Sequence, residues 1–198
     1  MLTPRSEILK YDKFAGAAFK NALRLHFDSI VLFRNRSYPS AFALSILSME
    51  EFAKSYLLEN LYYHGIADQT FMTTELRKIV SNSLLSHTHK QRSFVNRAFS
   101  PRKIDSYGNL KIDSFSKKVF ARQIEQSKQN SFYVGLKRKN GQQFPEGRIV
   151  SPSHVHLPQA QTSITIVNDY LVELIVRTLK DYYTVDSVAM THLLNRRL

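Results

Sequence analysis

The 198-residue sequence contains no cysteine, which excludes disulfide bonds, thiolate catalysis and zinc sites built from cysteine. It has only 6 glycines and 6 prolines, so long uninterrupted helices are possible. No apolar run reaches the ~18 residues of a membrane span, and the first residues lack the apolar stretch of a signal peptide. We therefore expect a soluble, cytoplasmic chain without a membrane partner.

Acidic residues are scarce in one segment of the chain. Residues 76–148 hold 16 Lys or Arg against 4 Asp or Glu, whereas the remainder holds 12 of each sign. The whole net charge of +12 therefore belongs to this basic segment. Such a segment attracts polyanions by Coulombic attraction and counterion release, so it favours a nucleic-acid partner. The alternative is a basic, solvated surface that only keeps the protein soluble.

Helical periodicity runs through most of the sequence. Hydrophobic residues make up 43% of the chain, which is enough for the core of a single domain spanning 1–198. Apolar residues recur three and four positions apart, which is the spacing of a helix that buries one face. The predicted ranges are 9–35, 39–63, 70–98 with a break near 81–83, 115–130, 159–183 and 185–196.

The connections between these helices define the predicted architecture. Pro39 suits the first turn of a helix, so the interruption RNRSYPS predicts a tight turn and an antiparallel helical hairpin. Gly65 is expected to cap the second helix. Irregular inserts are expected at 100–114 and 131–157. The Asn140-Gly141 pair in the second insert is a turn signal, which fits a small hairpin or an extended arm. The fold class is all-α, a bundle of about five helices.

Three charged residues interrupt an otherwise apolar helix in SILSMEEFAKSYLLENL, residues 45–61. With 100° per residue, Glu50 and Lys54 lie in the middle of the apolar stripe, and Glu51 lies at its edge. Burying such an ion pair costs desolvation energy, so stability alone does not explain it. Either Glu50 and Lys54 pair with neighbouring helices to fix the packing, or they line a polar cleft with a chemical role. On this wheel Ser45, Ser48, Ser55 and Glu59 mark the polar side.

Two further stretches carry side chains suited to phosphate chemistry. In SHTHKQR, His87 and Lys90 share one helical face, and histidine is the usual acid–base group near neutrality. A histidine on a helix surface is also often structural. SKQNSFYV adds Lys128, Asn130 and Tyr133 to the basic segment. Aromatic residues between basic ones suit base stacking with phosphate pairing. They also suit ordinary half-buried packing, which is favoured for Phe132 and Val134. The candidate RNA contacts in the basic segment are Arg92, Arg97, Lys128, Asn130 and Tyr133.

Four stretches, in this order, resemble the AbiV family of bacterial abortive-infection proteins in the HEPN superfamily. Residues 28–58 are similar to the family's helix, short turn and small-residue helix that ends in Glu-Glu-x-x-Lys. SHTHK (86–90) is similar to its His-x-x-Lys motif, and KQNSFYV (128–134) to its Lys-Asn-x-x-Tyr-Val element. The fourth stretch is the apolar helix near the C-terminus. Together these stretches span most of the chain.

The resemblance implies a role in phage defence, in which an infected cell arrests its own growth. Relatives in the superfamily are often metal-independent ribonucleases that act as homodimers, and a phage-encoded protein is a possible trigger. Their usual signature is Arg, four to six residues, then His on one helix. Here the only match runs from Arg148 to His154 and contains Pro152, so the sequence departs from that signature.

The resulting hypothesis is RNA cleavage that needs no metal or other cofactor and that arrests translation. The candidate catalytic residues are Glu50, Glu51, Lys54, His87 and Lys90. His87 or Glu50 would take the proton of a 2′-hydroxyl, while lysines stabilise the charge on phosphorus. The alternative is a non-catalytic module that binds RNA, or that sequesters a phage or host translation component.

Overall fold

A computed structural model describes residues 5–67, 74–98, 115–119, 122–133, 135–137, 148–150 and 155–183. Its helices are α1 (Arg5–Arg34), α2 (Tyr38–Ala67), α3 (Thr74–Leu85), α4 (His87–Ala98), α5 (described at 115–119), α6 (Gln123–Phe132) and α7 (Leu157–Tyr183). Strands β1 (Gly135–Lys137) and β2 (Arg148–Val150) pair antiparallel, with Leu136 opposite Ile149. The all-α class is therefore confirmed, and in the described part of the chain one short antiparallel pair of strands accompanies the helices.

The predicted antiparallel hairpin of α1 and α2 is confirmed. The Ser48 hydroxyl donates to the carbonyl of Ala22 at 2.8 Å, and the Ser55 hydroxyl donates to that of Ala15 at 2.9 Å. A later residue of α2 thus meets an earlier residue of α1. Arg36 makes the turn in the left-handed region with φ 60°, a conformation that few residues other than glycine adopt.

Helix α2 lies at the centre of the bundle, which explains why its sequence is apolar almost all round. It packs against α1, α4, α6 and α7. The fully buried side chains around it include Ile46, Met49 and Phe52 of α2 and Phe94 of α4. Ser45 and Ser48, which were predicted to lie on the polar side of the helix, are fully buried. Their hydroxyls are satisfied internally, and that of Ser45 reaches Ser163 of α7 at 2.5 Å.

Several predicted boundaries are wrong. The break between α3 and α4 falls at Ser86, whose hydroxyl accepts from the backbone N–H of His89 at 3.3 Å and so caps α4. The single helix predicted over 115–130 is divided at Arg122, which has φ 60°. Strand β2 lies where a loop was predicted. The predicted C-terminal helix, the Asn140-Gly141 turn and the insert at 100–114 lie outside the described residues.

Gly16 and Gly65 both lie within helices, but one has open space around it and the other is closely packed. Replacing each with alanine therefore tests the effect of packing on stability. A Cβ at Gly16 of α1 would meet nothing within 4 Å, whereas a Cβ at Gly65 would lie 3.2 Å from side-chain atoms of Ile8. Gly65 therefore lies inside α2 at a close helix contact, not at the C-cap. We expect Gly16→Ala to raise the free energy of unfolding by about 0.5–1 kcal/mol, because alanine loses less entropy in a helix. Gly65→Ala should gain less or destabilise, and urea denaturation of both variants measures the difference.

A buried histidine joins α1 to α7 and predicts acid sensitivity. Nε2 of His26 lies 2.6 Å from Oδ1 of Asn168, and within the described chain buried Nδ1 has no partner. Burial lowers the pKa of His26 below 6.5, and the contact with Asn168 only partly offsets this. The unfolded chain therefore binds the proton first, so stability falls as pH drops below about 6.5 towards the lowered pKa.

We expect the His26→Gln variant to lose stability less steeply than wild type between pH 7.5 and 5. Glutamine cannot titrate, yet its amide can donate to Asn168. Urea denaturation at several pH values gives the two slopes. Parallel curves would contradict this account of His26.

Candidate active site

Glu50 lies at the centre of a buried polar cluster between α2, α4 and α6. Its Oε1 accepts from Nε2 of Gln91 at 2.8 Å and from Nζ of Lys128 at 2.7 Å. Its Oε2 lies 2.6 Å from Nδ1 of His87 and 3.9 Å from Nζ of Lys90. The side chain of Glu50 is only 2% exposed, so these partners replace water around its charge.

His87 is the member of this cluster that opens to solvent. Its side chain is 50% exposed, and it stands at the first residue of α4. A carboxylate oxygen at 2.6 Å requires a proton on Nδ1, because two acceptors would repel at that distance. In the neutral imidazole, Nε2 is then an unprotonated acceptor. Glu50 thus fixes the tautomer and ring orientation of His87, as carboxylates do in histidine dyads.

Lys128 of α6 closes the cluster from the third helix. Its Nζ lies 2.8 Å from Oε2 of Glu125 as well as 2.7 Å from Oε1 of Glu50, and its side chain is 3% exposed. The ammonium therefore bridges two carboxylates. Predicted as an RNA contact, Lys128 is instead buried beside Glu50.

Gln91 and Glu125 belong to the same cluster, although the sequence did not identify them. The Gln91 amide donates to Oε2 of Glu125 at 2.6 Å, and the Gln129 amide donates to Oε1 at 2.8 Å. Their spacing could have indicated them. Gln91 is four residues after His87, and Glu125 is three residues before Lys128, so each lies on the same helix face as a residue that was identified. Burial alone would raise the pKa of Glu125, but hydrogen bonds from Gln129 and Lys128 and the nearby ammonium together lower it.

Glu51, Lys54 and Lys90 form the rest of the charged group. Lys54 pairs with Glu51, which also accepts from Nδ2 of Asn21 at 3.2 Å. Burial lowers the pKa of Lys90, and the charge of Glu50 opposes the shift while that of Lys54 adds to it. The cluster thus balances three carboxylates against three ammonium groups, with His87 as the seventh titratable group.

Three ligand atoms in the cluster stand close enough to hold a metal ion. One atom each from Glu50, His87 and Glu125 lies within 4.8 Å of the others. Nζ of Lys128 occupies this space, 3.3 Å from Nδ1 of His87 and hydrogen-bonded to both carboxylates. A divalent ion can bind there only by displacing that ammonium.

The remaining RNA candidates differ in exposure. Arg97 and Tyr133 are exposed, whereas Arg92 and Asn130 are half-buried. Phe132, predicted to pack, is 43% exposed. Arg148, the first residue of the Arg–His match, lies on β2, and His154 lies outside the described residues. Among the described residues, no helix is long and apolar enough to cross a bilayer.

Comparison with known proteins identifies the family. The family model HEPN_AbiV, described as AbiV, matches residues 10–172. No curated protein and no solved structure matches the chain. The matched region runs from α1 into α7 and includes the whole Glu50 cluster. The chain therefore belongs to the AbiV family of the HEPN superfamily, which is associated with abortive infection.

Proposed function

We propose that this protein acts in abortive infection as a metal-independent endoribonuclease, with His87 as its general base. The observation that carries the proposal is the pairing of buried Glu50 with half-exposed His87 at 2.6 Å. The arrangement leaves Nε2 of His87 as a proton acceptor at the surface. Glu50 stabilises the imidazolium that forms, as the carboxylate of a catalytic triad does.

The proposed reaction is attack by a 2′-hydroxyl on the neighbouring phosphorus. Nε2 of His87 takes the hydroxyl proton, the new O–P bond forms, and the 5′ oxygen leaves with a proton from water. Lys54 and Lys90 stabilise the negative charge on the phosphoryl oxygens, since ammonium groups favour the charge that develops in the transition state. The products are a 2′,3′-cyclic phosphate and a 5′-hydroxyl end, and loss of RNA then arrests translation.

The direct test incubates the purified chain with total RNA, with EDTA and without it, and analyses the new ends. Cleavage with 2′,3′-cyclic phosphate ends supports the proposal, and cleavage that EDTA abolishes contradicts it. Extract from phage-infected cells is added in a parallel reaction, because a phage-encoded protein is the proposed trigger. No cleavage in either reaction, with RNA still bound, would favour the second candidate.

The second candidate is a non-catalytic module that binds RNA or sequesters a translation component. It is favoured by the burial of Lys128 and Glu50, whose polar atoms are satisfied by one another and by Gln91. On this reading the cluster only joins α2, α4 and α6.

We also propose that the active form is a homodimer. Phe27 and Val31 support this, because they lie one turn apart on α1 and are 56% and 55% exposed. Light scattering of the purified chain measures its mass in solution. A monomeric mass would contradict the dimer while leaving the chemistry of His87 untouched.

A further inference from the structure

A cleft opens on the face of α2 that points away from the Glu50 cluster. It has a volume of about 300 Å³, and its walls come from α1, α2, α4 and α7. Phe52 of α2 lines the cleft and is two residues after Glu50, so the two side chains leave the helix about 200° apart. Neither of the two candidate functions involves this cleft.

Aromatic rings form the interior wall of the cleft. Phe19 meets Phe52 edge to face with 5.5 Å between ring centroids, and Phe52 lies 5.3 Å from the ring of Tyr170. Burial raises the pKa of Tyr170, so its hydroxyl stays neutral near pH 7. The interior is therefore apolar and uncharged, which suits a bulky hydrocarbon group.

Two carboxylates meet at the edge of the cleft. Helices α1 and α2 run antiparallel, and the hydroxyl of Ser55 donates to the carbonyl of Ala15. Asp12 lies three residues before Ala15, and Glu59 lies four residues after Ser55, so both reach the same level of the hairpin. Both are exposed lining residues of the cleft. An ammonium group placed there would contact two carboxylates at once.

A guanidinium from α4 completes the charged edge. That of Arg97 lies over the ring of Tyr56, 4.5 Å from its centroid, and hydrogen-bonds the hydroxyl of Tyr170. These two contacts hold the group in place, and its remaining N–H donors can pair with a carboxylate. Tyr56 lies one helical turn before Glu59, so the positive and negative groups at the edge are about one turn apart.

Gly16 keeps this cleft open at the α1 wall. It lies in the middle of a 30-residue helix, where glycine is unfavourable, and within the described chain no packing contact explains it. A side chain at this position would occupy part of the open space that Gly16 lines.

We propose that this cleft binds a free α-amino acid with a large apolar side chain. The α-ammonium donates to Asp12 and Glu59, and the α-carboxylate accepts from Arg97. The apolar side chain packs against the rings of Phe19 and Phe52. A zwitterion suits this lining better than a polyanion does, because the two carboxylates outnumber the one guanidinium. Binding requires no RNA cleavage, so the site stands independently of the proposed ribonuclease activity.

The first experiment titrates the full chain by calorimetry with L-phenylalanine and with two analogues that each lack one charge. Phenethylamine has no carboxylate, and 3-phenylpropionate has no ammonium. L-Phenylalanine should bind saturably and each analogue at least about tenfold more weakly, because each analogue loses a hydrogen-bonded charge. L-Alanine should also bind at least about tenfold more weakly, because it leaves the aromatic wall without a partner.

Two variants assign the charged groups of the site. Glu59→Gln should weaken the binding of L-phenylalanine about tenfold and leave that of 3-phenylpropionate unchanged, since only L-phenylalanine carries an ammonium. Arg97→Gln should weaken the binding of L-phenylalanine about tenfold and leave that of phenethylamine unchanged, since only L-phenylalanine carries a carboxylate.

The last experiment closes the cleft. Gly16→Leu should abolish binding while the chain stays folded, because leucine favours a helix more than glycine does. Gly16→Ala is the matched control and should retain binding, and circular dichroism establishes that each variant is folded. No saturable binding of L-phenylalanine or L-leucine, equal binding of L-phenylalanine and either analogue, or unchanged binding in Gly16→Leu would each overturn the proposal.

Discussion

Replacing Lys128 with methionine is expected to lower the free energy of unfolding by about 3–5 kcal/mol, because it leaves buried charges uncompensated. Methionine keeps the length of the side chain but removes the ammonium that bridges Glu50 and Glu125 at 2.7 and 2.8 Å. Both carboxylates then face each other with less opposite charge nearby. Urea denaturation followed by circular dichroism measures the change.

Lys118→Met provides the matched control for this experiment. Lys118 is an exposed lysine of α5, so its replacement should change the free energy of unfolding by less than about 0.5 kcal/mol. In Lys128→Met, Mn²⁺ or Zn²⁺ should recover part of the lost stability, since the ligand atoms of Glu50, His87 and Glu125 become free. Equal stability of the two variants would show that Lys128 does not compensate Glu50.

The largest expected effect on activity is that of His87→Asn. If His87 is the general base, its loss should lower the rate of RNA cleavage by about 10²–10⁴, the usual contribution of a positioned acid–base group. The asparagine amide can still donate to Glu50, so the cluster keeps a hydrogen bond while losing the proton acceptor. Single-turnover cleavage of a short labelled RNA measures the rate.

His89→Asn is the control, since His89 is exposed on the same helix and contributes no side-chain contact to the Glu50 cluster. Its cleavage rate should equal that of wild type. The proposal fails if the two variants, both folded, cleave equally well. Denaturation curves of both proteins establish that each is folded.

The periodicity of apolar residues was sufficient to predict the long helices, but not the positions at which the shorter helices begin and end. The two helices of the hairpin were predicted to within about four residues at each end, because many small and apolar positions repeat along them. The division at Arg122 could not be predicted, since a left-handed backbone normally calls for glycine or asparagine. The break at Ser86 was misplaced because several serines nearby are equally suitable caps.

The site was partly visible in the sequence. Charges in the apolar stripe of α2 indicated that Glu50 needed partners, and His87 is indeed one of them. The wheel paired Glu50 with Lys54, but Lys54 pairs with Glu51 and the ammonium beside Glu50 comes from Lys128. Spacing along one helix cannot reveal a partner 78 residues away, because only tertiary packing brings the two together.

That separation matters while the polypeptide is being made. The ribosome delivers Glu50 long before Lys128, so the nascent α1–α2 hairpin carries a carboxylate that has not met its bridging ammonium. A message cut short within the intervening stretch yields a product with the same defect. Such fragments expose their apolar helix faces and are ready substrates for cellular proteases, so only full-length synthesis produces the assembled charge cluster.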